Sequence, residues 1–183
     1  MKLEETIMKQ MRAQIILLAV VLLTLSAAGQ EKKKPLSPPA KAEATIAGKS
    51  ITIDYSAPSR REREIMGGLV PFDKVWRTGA NAATTLTTSA DLMIGSLHVP
   101  AGTYTLFTIP GEKAWTLIVN KQTGQWGTNY DPSQDLGRVP MKIRSLADSV
   151  ETFVIGIELG KDNKGFLNLT WENTEASAPL MVH

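Results

Sequence analysis

Residues 103–119, TYTLFTIPGEKAWTLIV, decide the fold class of this chain. Threonine, aromatic and branched aliphatic residues dominate both ends of this stretch, and such residues favour extended β-strands. Pro110 and Gly111 lie between the two ends, and Pro and Gly are the strongest interruptions of regular structure. The stretch therefore predicts two neighbouring antiparallel strands joined by a short turn.

The same alternation of short strands and turns continues on both sides of this stretch. Gly48-Lys49 and Gly95-Ser96 each separate two β-rich segments and predict two hairpins. Further strands are predicted at residues 83–88, 137–144, 152–159 and 166–172. After the N-terminal region, no segment repeats apolar residues with the helical period over three turns. At most, single helical turns fit at 65–69 and 146–150.

This pattern of strands excludes most other fold classes. Turn signals at intervals of about ten residues are typical of antiparallel β folds, and they leave no room for the crossovers of a parallel sheet. We therefore expect an all-β fold. The expected architecture is an antiparallel β-sandwich or a partly open barrel of about eight or nine strands in a single domain.

The N-terminus has the layout of a secretory signal peptide. A short basic region at residues 8–12 precedes an apolar run at 15–25, and small residues follow at 26–29. The apolar run is shorter than the ~20 residues that a membrane-spanning helix needs. The predicted domains are a signal peptide (1–29), a flexible Lys- and Pro-rich linker (30–42) and a β-sandwich domain (43–183).

Composition limits the location and the partners of the chain. From the signal peptide we expect a periplasmic or secreted protein with no stable membrane span after signal cleavage. The chain contains no cysteine, which excludes a lipoprotein anchor and disulfides. Its 20 Lys and Arg against 18 Asp and Glu give a net charge of +2, too little for a nucleic-acid partner. With His98 and His183 as the two histidines, neither a metal site nor a cofactor nor a catalytic residue is predicted. The oligomeric state stays open.

The long connection before residue 83 carries the best candidates for a binding site. Long connections in compact domains are uncommon and are usually functional or disordered, and this one has enough apolar residues to pack. Arginine offers a planar fork that fits carboxylate or phosphate, and asparagine offers both a donor and an acceptor. The predicted ligand-binding residues are Arg77, Thr78, Asn81, Asp54, Trp126 and Tyr130. In the alternative interpretation, Arg77 forms a structural ion pair with Asp54 or Asp73. The charged run at 60–64 is interpreted as solvated surface, with contact between Arg60 or Arg63 and an anionic ligand as the alternative.

Several of these segments resemble one bacterial family. The matching motifs are Ile53-Asp54-Tyr55-Ser56, Gly67-Gly68-Leu69-Val70-Pro71, Val75-Trp76-Arg77-Thr78-Gly79-Ala80-Asn81, Val99–Gly111, Gln125-Trp126-Gly127 and Trp171-Glu172-Asn173. With these motifs the chain resembles the family named domain of unknown function 2911 over nearly all of the predicted β domain. The resemblance implies an exported, compact single domain, and it implies no particular activity.

The sequence thus favours a binding protein over an enzyme. The preferred hypothesis is a non-enzymatic exported module that binds a small polar ligand, a glycan or an envelope partner near Arg77 and Asn81. One alternative is a hydrolase that uses Asp54, Asp73 or Glu172 together with Arg77. Another alternative is a structural envelope protein without a ligand site.

Overall fold

Extended strands make up almost all of the regular structure in the computed structural model, which describes residues 3–5, 35–160 and 162–183. The strands are β1 (Pro39–Ile46), β2 (Lys49–Ser56), β3 (Thr84–Thr88), β4 (Leu92–Ile94), β5 (Leu97–Val99), β6 (Gly102–Ile109), β7 (Ala114–Asn120), β8 (Asp135–Leu159) and β9 (Lys164–Val182). A short 3-10 turn at Pro132–Gln134 precedes β8. The predicted signal peptide, apart from residues 3–5, and residues 30–34 of the predicted linker lie outside the described residues. Within the described residues, no helix has the length and apolarity to cross a membrane.

The strands form one antiparallel sheet in the order β1-β2-β3-β6-β7-β8-β9-β4-β5. The predicted all-β antiparallel fold is therefore confirmed. The stretch at 103–119 becomes β6 and β7, which pair from Thr105 with Asn120 to Ile109 with Thr116. The two predicted hairpins are β1–β2 and β4–β5.

A single large core joins strands from distant places in the sheet. Ile51 and Ile53 of β2 are buried in this core, and Leu92 and Ile94 of β4 belong to the same cluster. Because β2 and β4 lie near opposite edges of the sheet order, the sheet must fold over to bring both into one core. The chain thereby buries its apolar side chains between two parts of one sheet, which is the layered arrangement that an antiparallel sheet with one apolar face requires.

β8 is longer than the sequence predicts. The predicted strands at 137–144 and 152–159, together with residues 146–150, where a helical turn fits the sequence, form one continuous strand of 25 residues. The register with β9 shifts between Ser145 and Val150 and again between Val150 and Val154. Such bulges bend a strand without ending it. The first part of β8 therefore pairs with β7 and the remainder with β9, which itself continues past the predicted end at 172.

β1 begins inside the predicted linker. Residues 39–42 are the first residues of this edge strand, and proline is tolerated at the first position of such a strand. Ala42 is buried, and the carbonyl of Pro38 accepts a hydrogen bond of 2.9 Å from the Ala57 amide. Residues 39–42, predicted as linker, therefore belong to the sheet.

A carboxylate fixes the chain on both sides of the β4–β5 hairpin. Asp91 accepts hydrogen bonds from the Ala101 amide through Oδ1 and from the His98 ring through Oδ2, each at 2.9 Å. The bond from Ala101, followed by that from His98, lowers the pKa of Asp91.

Candidate functional site

The long connection at residues 57–83 is held at three places. Its first part lies beside β8, where the Phe153 amide donates to the Pro58 carbonyl at 2.9 Å. Its middle runs along the end of β6, where Trp76 and Thr108 exchange two backbone hydrogen bonds of 2.7 and 2.9 Å. Its last part pairs with a neighbouring loop through the Gly127 amide and the Asn81 carbonyl at 3.1 Å. These bonds make the connection an ordered element that crosses one end of the core.

Aromatic side chains support the middle of the connection from below. The ring of Trp76 stacks on Trp171 with centroids 5.8 Å apart, and it meets the edges of Phe153 and Trp115 at 5.0 and 6.2 Å. Aromatic pairs at such distances contribute about 0.5–1.5 kcal/mol each beyond the area they bury. Ile65 of the same connection is fully buried in the core. The connection is therefore anchored by side chains as well as by its backbone.

The backbone of the connection is strained close to the predicted site. Thr78 and Asn81 have φ angles of 53° and 58°, in the left-handed region, which is a genuine outlier for a β-branched residue such as threonine. Such residues cost roughly 1–3 kcal/mol and persist where the surroundings fix them. The hydroxyl of Thr78 donates to the hydroxyl of Thr108 at 3.2 Å, and its carbonyl accepts from Thr84 Oγ1 at 2.8 Å. Thr78 is thus buried beneath the site, where it fixes the backbone beside Arg77.

Gly79 shows why the turn after Thr78 needs glycine. Its φ angle is 154°, and a Cβ atom at this position would lie 3.0 Å from the Ser56 carbonyl oxygen and 3.1 Å from Thr84 Oγ1. A larger residue would push the connection away from the ends of β2 and β3. The close approach therefore sets the position of Arg77 and Asn81 relative to the sheet.

A first cleft of about 350 Å³ lies over this part of the connection. The residues that line it are Leu36, Ser37, Pro58, Arg61, Arg63, Leu69, Val70, Trp76, Arg77, Gly79, Ala80, Asn81 and Trp171. Three of these side chains are guanidinium groups, and none of the lining residues is acidic. The cleft therefore joins a concentrated positive charge to an aromatic floor.

Arg77 is the central side chain of this cleft. It is half-buried, and within the described parts of the chain it makes no side-chain hydrogen bond and no ion pair. The alternative interpretation, in which Arg77 pairs with Asp54 or Asp73, is wrong for this structure: Asp54 instead lies 3.5 Å from Lys41 on the adjacent strand. Since Asp54 does not line the cleft, its predicted role beside Arg77 is not supported by the geometry. Arg77 is left with an unused fork of donors that fits a carboxylate or a phosphate.

Arg61 and Arg63 are held beside Arg77 by backbone carbonyls instead of by acids. Arg61 Nη2 donates to the Leu36 carbonyl, and Arg63 Nη2 donates to the Ser59 carbonyl at 2.7 Å. Carbonyl partners orient a guanidinium without neutralising its charge. Part of the charged run at 60–64, interpreted from sequence as solvated surface, therefore contributes to the cleft.

A second cleft of about 460 Å³ adjoins the first. It is lined by Leu69, Pro71, Lys74, Val75, Trp76, Arg77, Gly127, Thr128 and Tyr130. Leu69, Trp76 and Arg77 therefore line both clefts. The second cleft also has a positive side chain, Lys74, and no acidic one.

A polar network holds Tyr130 at the wall of the second cleft. Its hydroxyl donates to Asp135 Oδ2 at 2.8 Å and accepts from Arg138 Nη2 at 2.9 Å, while its ring packs edge-on against Phe107 at 4.9 Å. Burial, followed by the hydrogen bond to Asp135, raises the pKa of Tyr130. Asn120 donates to the other oxygen of Asp135 at 2.9 Å and so fixes this carboxylate. Tyr130 is therefore a rigid wall whose hydroxyl is already engaged.

The predicted site residues thus do not all meet in one cleft. Arg77 and Asn81 share the first cleft, and Tyr130 lines the second. Trp126 is 54% exposed next to Gly127 but lines neither cleft. Thr78 supports the site from below, and Asp54 lies elsewhere.

The structure also adds residues that sequence reasoning missed. Arg61, Lys74 and Leu69 line the clefts, although the sequence analysis did not select them as site residues. All three belong to the long connection, and for Arg61 and Lys74 the available signal was its excess of basic over acidic side chains. Of the carboxylates considered for hydrolysis, Glu172 lines neither cleft and lies 3.4 Å from Arg60. Within the described residues, no group of three or more His, Asp or Glu side chains is arranged to hold a metal.

Comparisons with known proteins place the chain in a family. Searches of curated proteins and of solved structures gave no significant match. A family model described as "Protein of unknown function (DUF2911)" matches residues 37–180, which include both clefts apart from Leu36. This match confirms the family resemblance found in the sequence motifs. The chain therefore belongs to the DUF2911 family.

Proposed function

We propose that this chain is a non-enzymatic binding protein for a small anionic ligand, which it holds in the first cleft through Arg77 and Asn81. We further propose that it works in the periplasm or outside the cell, because its N-terminus carries a predicted signal peptide. The ligand carries a carboxylate or a phosphate group. This assignment narrows the small polar ligand expected from the sequence to a negatively charged one.

The observation that carries the proposal is the unpaired guanidinium of Arg77. Half-buried charges in proteins are usually paired, because desolvation without a partner is costly. Arg77 faces a cleft with Arg61 and Arg63, and no acidic residue lines this cleft to pair with its guanidinium. A ligand carboxylate or phosphate supplies it through bidentate hydrogen bonds, which are among the strongest that proteins form. Asn81 adds an amide at the same cleft for a second polar contact.

The position of the carboxylates argues against the hydrolase alternative. An acid–base catalyst is expected to have a carboxylate in the cleft with a pKa shifted toward neutrality. The described clefts have no such lining residue. Asp91 and Asp131 have shifted pKa values, but hydrogen bonding lowers both, and both lie outside the clefts. The structural-protein alternative remains as an outcome of the experiment below.

The test measures anion binding by thermal shift and by titration calorimetry. The probes are phosphate, succinate and galacturonate, with galactose as a neutral counterpart of galacturonate. At 100 times the Kd, a ligand stabilises the folded state by about 2.7 kcal/mol. For a domain of this size, this corresponds to a rise in Tm of about 5–11 °C. At least one of the anions is expected to produce such a shift, whereas galactose is not.

Variants of two arginines separate a specific site from general charge effects. Arg77→Ala removes a charge-assisted contact of about 1.5–3 kcal/mol, so the Kd is expected to rise by about 10- to 150-fold. Arg77→Lys keeps the charge but loses the planar fork of donors. Its Kd is therefore expected to lie between those of the unsubstituted protein and of Arg77→Ala. Arg144→Ala is the control, since Arg144 pairs with Glu175 at 2.6 Å outside both clefts. If no anion binds, or if both alanine variants weaken binding equally, the proposal fails and the structural-protein alternative gains support.

A further inference from the structure

We infer that the two clefts form one extended site for an acidic oligosaccharide, with Arg77 at its centre. This inference rests on the proposed function, because it extends the ligand from a single anionic group to a chain of acidic sugar units. The starting observation is that Leu69, Trp76 and Arg77 line both clefts. A ligand of more than one unit that contacts Arg77 in the first cleft can therefore extend along these three side chains into the second cleft.

Positive groups occur along the whole extended site. Arg61 and Arg63 lie in the first cleft, Arg77 lies in both, and Lys74 lies in the second. Lys74 is exposed and, within the described parts of the chain, has no hydrogen-bonding or ion-pair partner. With no acidic lining residue in either cleft, the extended site favours a ligand with several negative charges over one with a single charge.

Apolar groups are exposed between these charges. Leu69 is 47% exposed and Val75 is 41% exposed, and both line the second cleft, while Trp126 is exposed next to Gly127 of the same cleft. Isolated exposed apolar residues are ordinary, but a group of them beside a cleft marks a binding surface. A pyranose ring has apolar C–H faces and a polar rim, so an acidic sugar chain combines the two kinds of contact that this surface offers.

The backbone of the site argues against an extended peptide as the ligand. A peptide that adds to a sheet needs free amides and carbonyls at a strand edge. In the clefts, both backbone groups of Trp76 are bonded to Thr108, the Gly127 amide is bonded to Asn81, and the Val70 amide is bonded to Ile65. Side chains therefore perform most of the recognition, as expected for sugar carboxylates and hydroxyls.

Calorimetric titrations of the full chain with three probes of matched size test this inference. The probes are trigalacturonate, which carries three carboxylates, the neutral trisaccharide maltotriose and the acidic peptide triglutamate. Galacturonate measures the contribution of a single unit. Trigalacturonate is expected to bind at least about tenfold more tightly than galacturonate, since each added charge-assisted contact is worth about a factor of ten. Maltotriose is expected to show no measurable binding, and triglutamate is expected to bind more weakly than trigalacturonate.

A variant of a residue that lines only the second cleft tests whether the added sugar units bind there. Lys74 lines the second cleft alone, so Lys74→Ala is expected to weaken trigalacturonate binding several-fold and to leave galacturonate binding unchanged. Arg77→Ala is expected to weaken both. Lys142→Ala is the matched control, because Lys142 is an exposed lysine of β8 that lines neither cleft.

Failure of this inference is distinguishable from failure of the proposed function. If small anions bind through Arg77 but trigalacturonate gains nothing over galacturonate, or if Lys74→Ala has no effect on trigalacturonate, the extended site is wrong and the small-anion site stands. If triglutamate binds more tightly than trigalacturonate, or maltotriose binds equally well, the assignment to acidic sugars is overturned. If no anion binds at all, both proposals fail.

Discussion

Replacement of Ile65 by alanine tests whether the long connection contributes to the folded core. Ile65 has 0% of its surface exposed and belongs to the main core cluster. Ile65→Ala removes three carbon atoms, at about 0.8 kcal/mol of transfer free energy each, and leaves a cavity. The measured range for such changes is about 2–5 kcal/mol. We therefore expect the free energy of unfolding to fall by about 2–5 kcal/mol, and the Tm to fall by about 4–20 °C in a domain of this size.

Urea denaturation followed by tryptophan fluorescence measures this loss. The signal is suitable because Trp76, Trp115 and Trp171 lie in one aromatic cluster next to the connection. The control is Leu69→Ala in the same segment, where the side chain is 47% exposed, so we expect a change within about 0.5 kcal/mol. The midpoint should shift for Ile65→Ala with little change in the denaturant slope, which marks a change of stability rather than of the unfolded state.

If Ile65→Ala and Leu69→Ala both lower the free energy of unfolding only slightly and by the same amount, the assignment of Ile65 to the core is refuted. Such a result would mean that Ile65 is not packed and that the connection is not a part of the cooperative fold. The clefts over the connection would then lose their rigid floor, because Trp76 reaches the core through this same segment. A large effect at Ile65 alone supports a preformed binding surface, which loses less entropy on binding than a mobile loop.

Two further substitutions probe the glycine beside Arg77 and the carboxylate at the β4–β5 hairpin. A Cβ atom on Gly127 would lie 2.5 Å from Arg77 Cδ and 2.7 Å from the Asn81 carbonyl oxygen. Gly127→Ala is therefore expected to cost about 1–3 kcal/mol in urea denaturation and to weaken anion binding in calorimetry, whereas Gly156→Ala, with nothing nearer than 4.0 Å, should leave binding unchanged. Asp91 has a lowered pKa in the folded state, so its stabilising effect is present above the ordinary aspartate pKa of about 3.9 and is lost as the pH falls through its folded value. Asp91→Asn should consequently show a smaller drop in Tm between pH 6 and pH 3 than the unsubstituted protein, and an equal drop would contradict this account.

Local signals account for the strands that were predicted correctly. The alternation in β2, with Ile51, Ile53 and Tyr55 buried and Asp54 exposed, is visible in the sequence because side chains of a strand point to opposite faces in turn. The same alternation places Asp54 on the face away from the core, where Lys41 of β1 is its neighbour. Its expected contact with Arg77 was therefore already in conflict with the strand pattern.

Bulges and edge positions were the features that local signals missed. Residues 146–150 fit a single helical turn, so the sequence suggested a break between the strands at 137–144 and 152–159. Only the pairing of β8 with both β7 and β9 shows that the chain continues through them. In the same way, Pro39 suggested a linker, although proline is compatible with the start of an edge strand such as β1.

The sequence by itself determined the all-β class, the family and the segment that carries the candidate site. These conclusions depend on short-range patterns: the two-residue alternation of strands, the chemistry of turns and the Trp76–Asn81 motif. Tertiary structure alone decided that Arg77 lacks an acidic partner and shares two clefts with side chains from separate segments. The physical reason is that a charge is neutralised by whatever lies within a few ångströms, and neighbours across a folded sheet are not recorded in the local sequence.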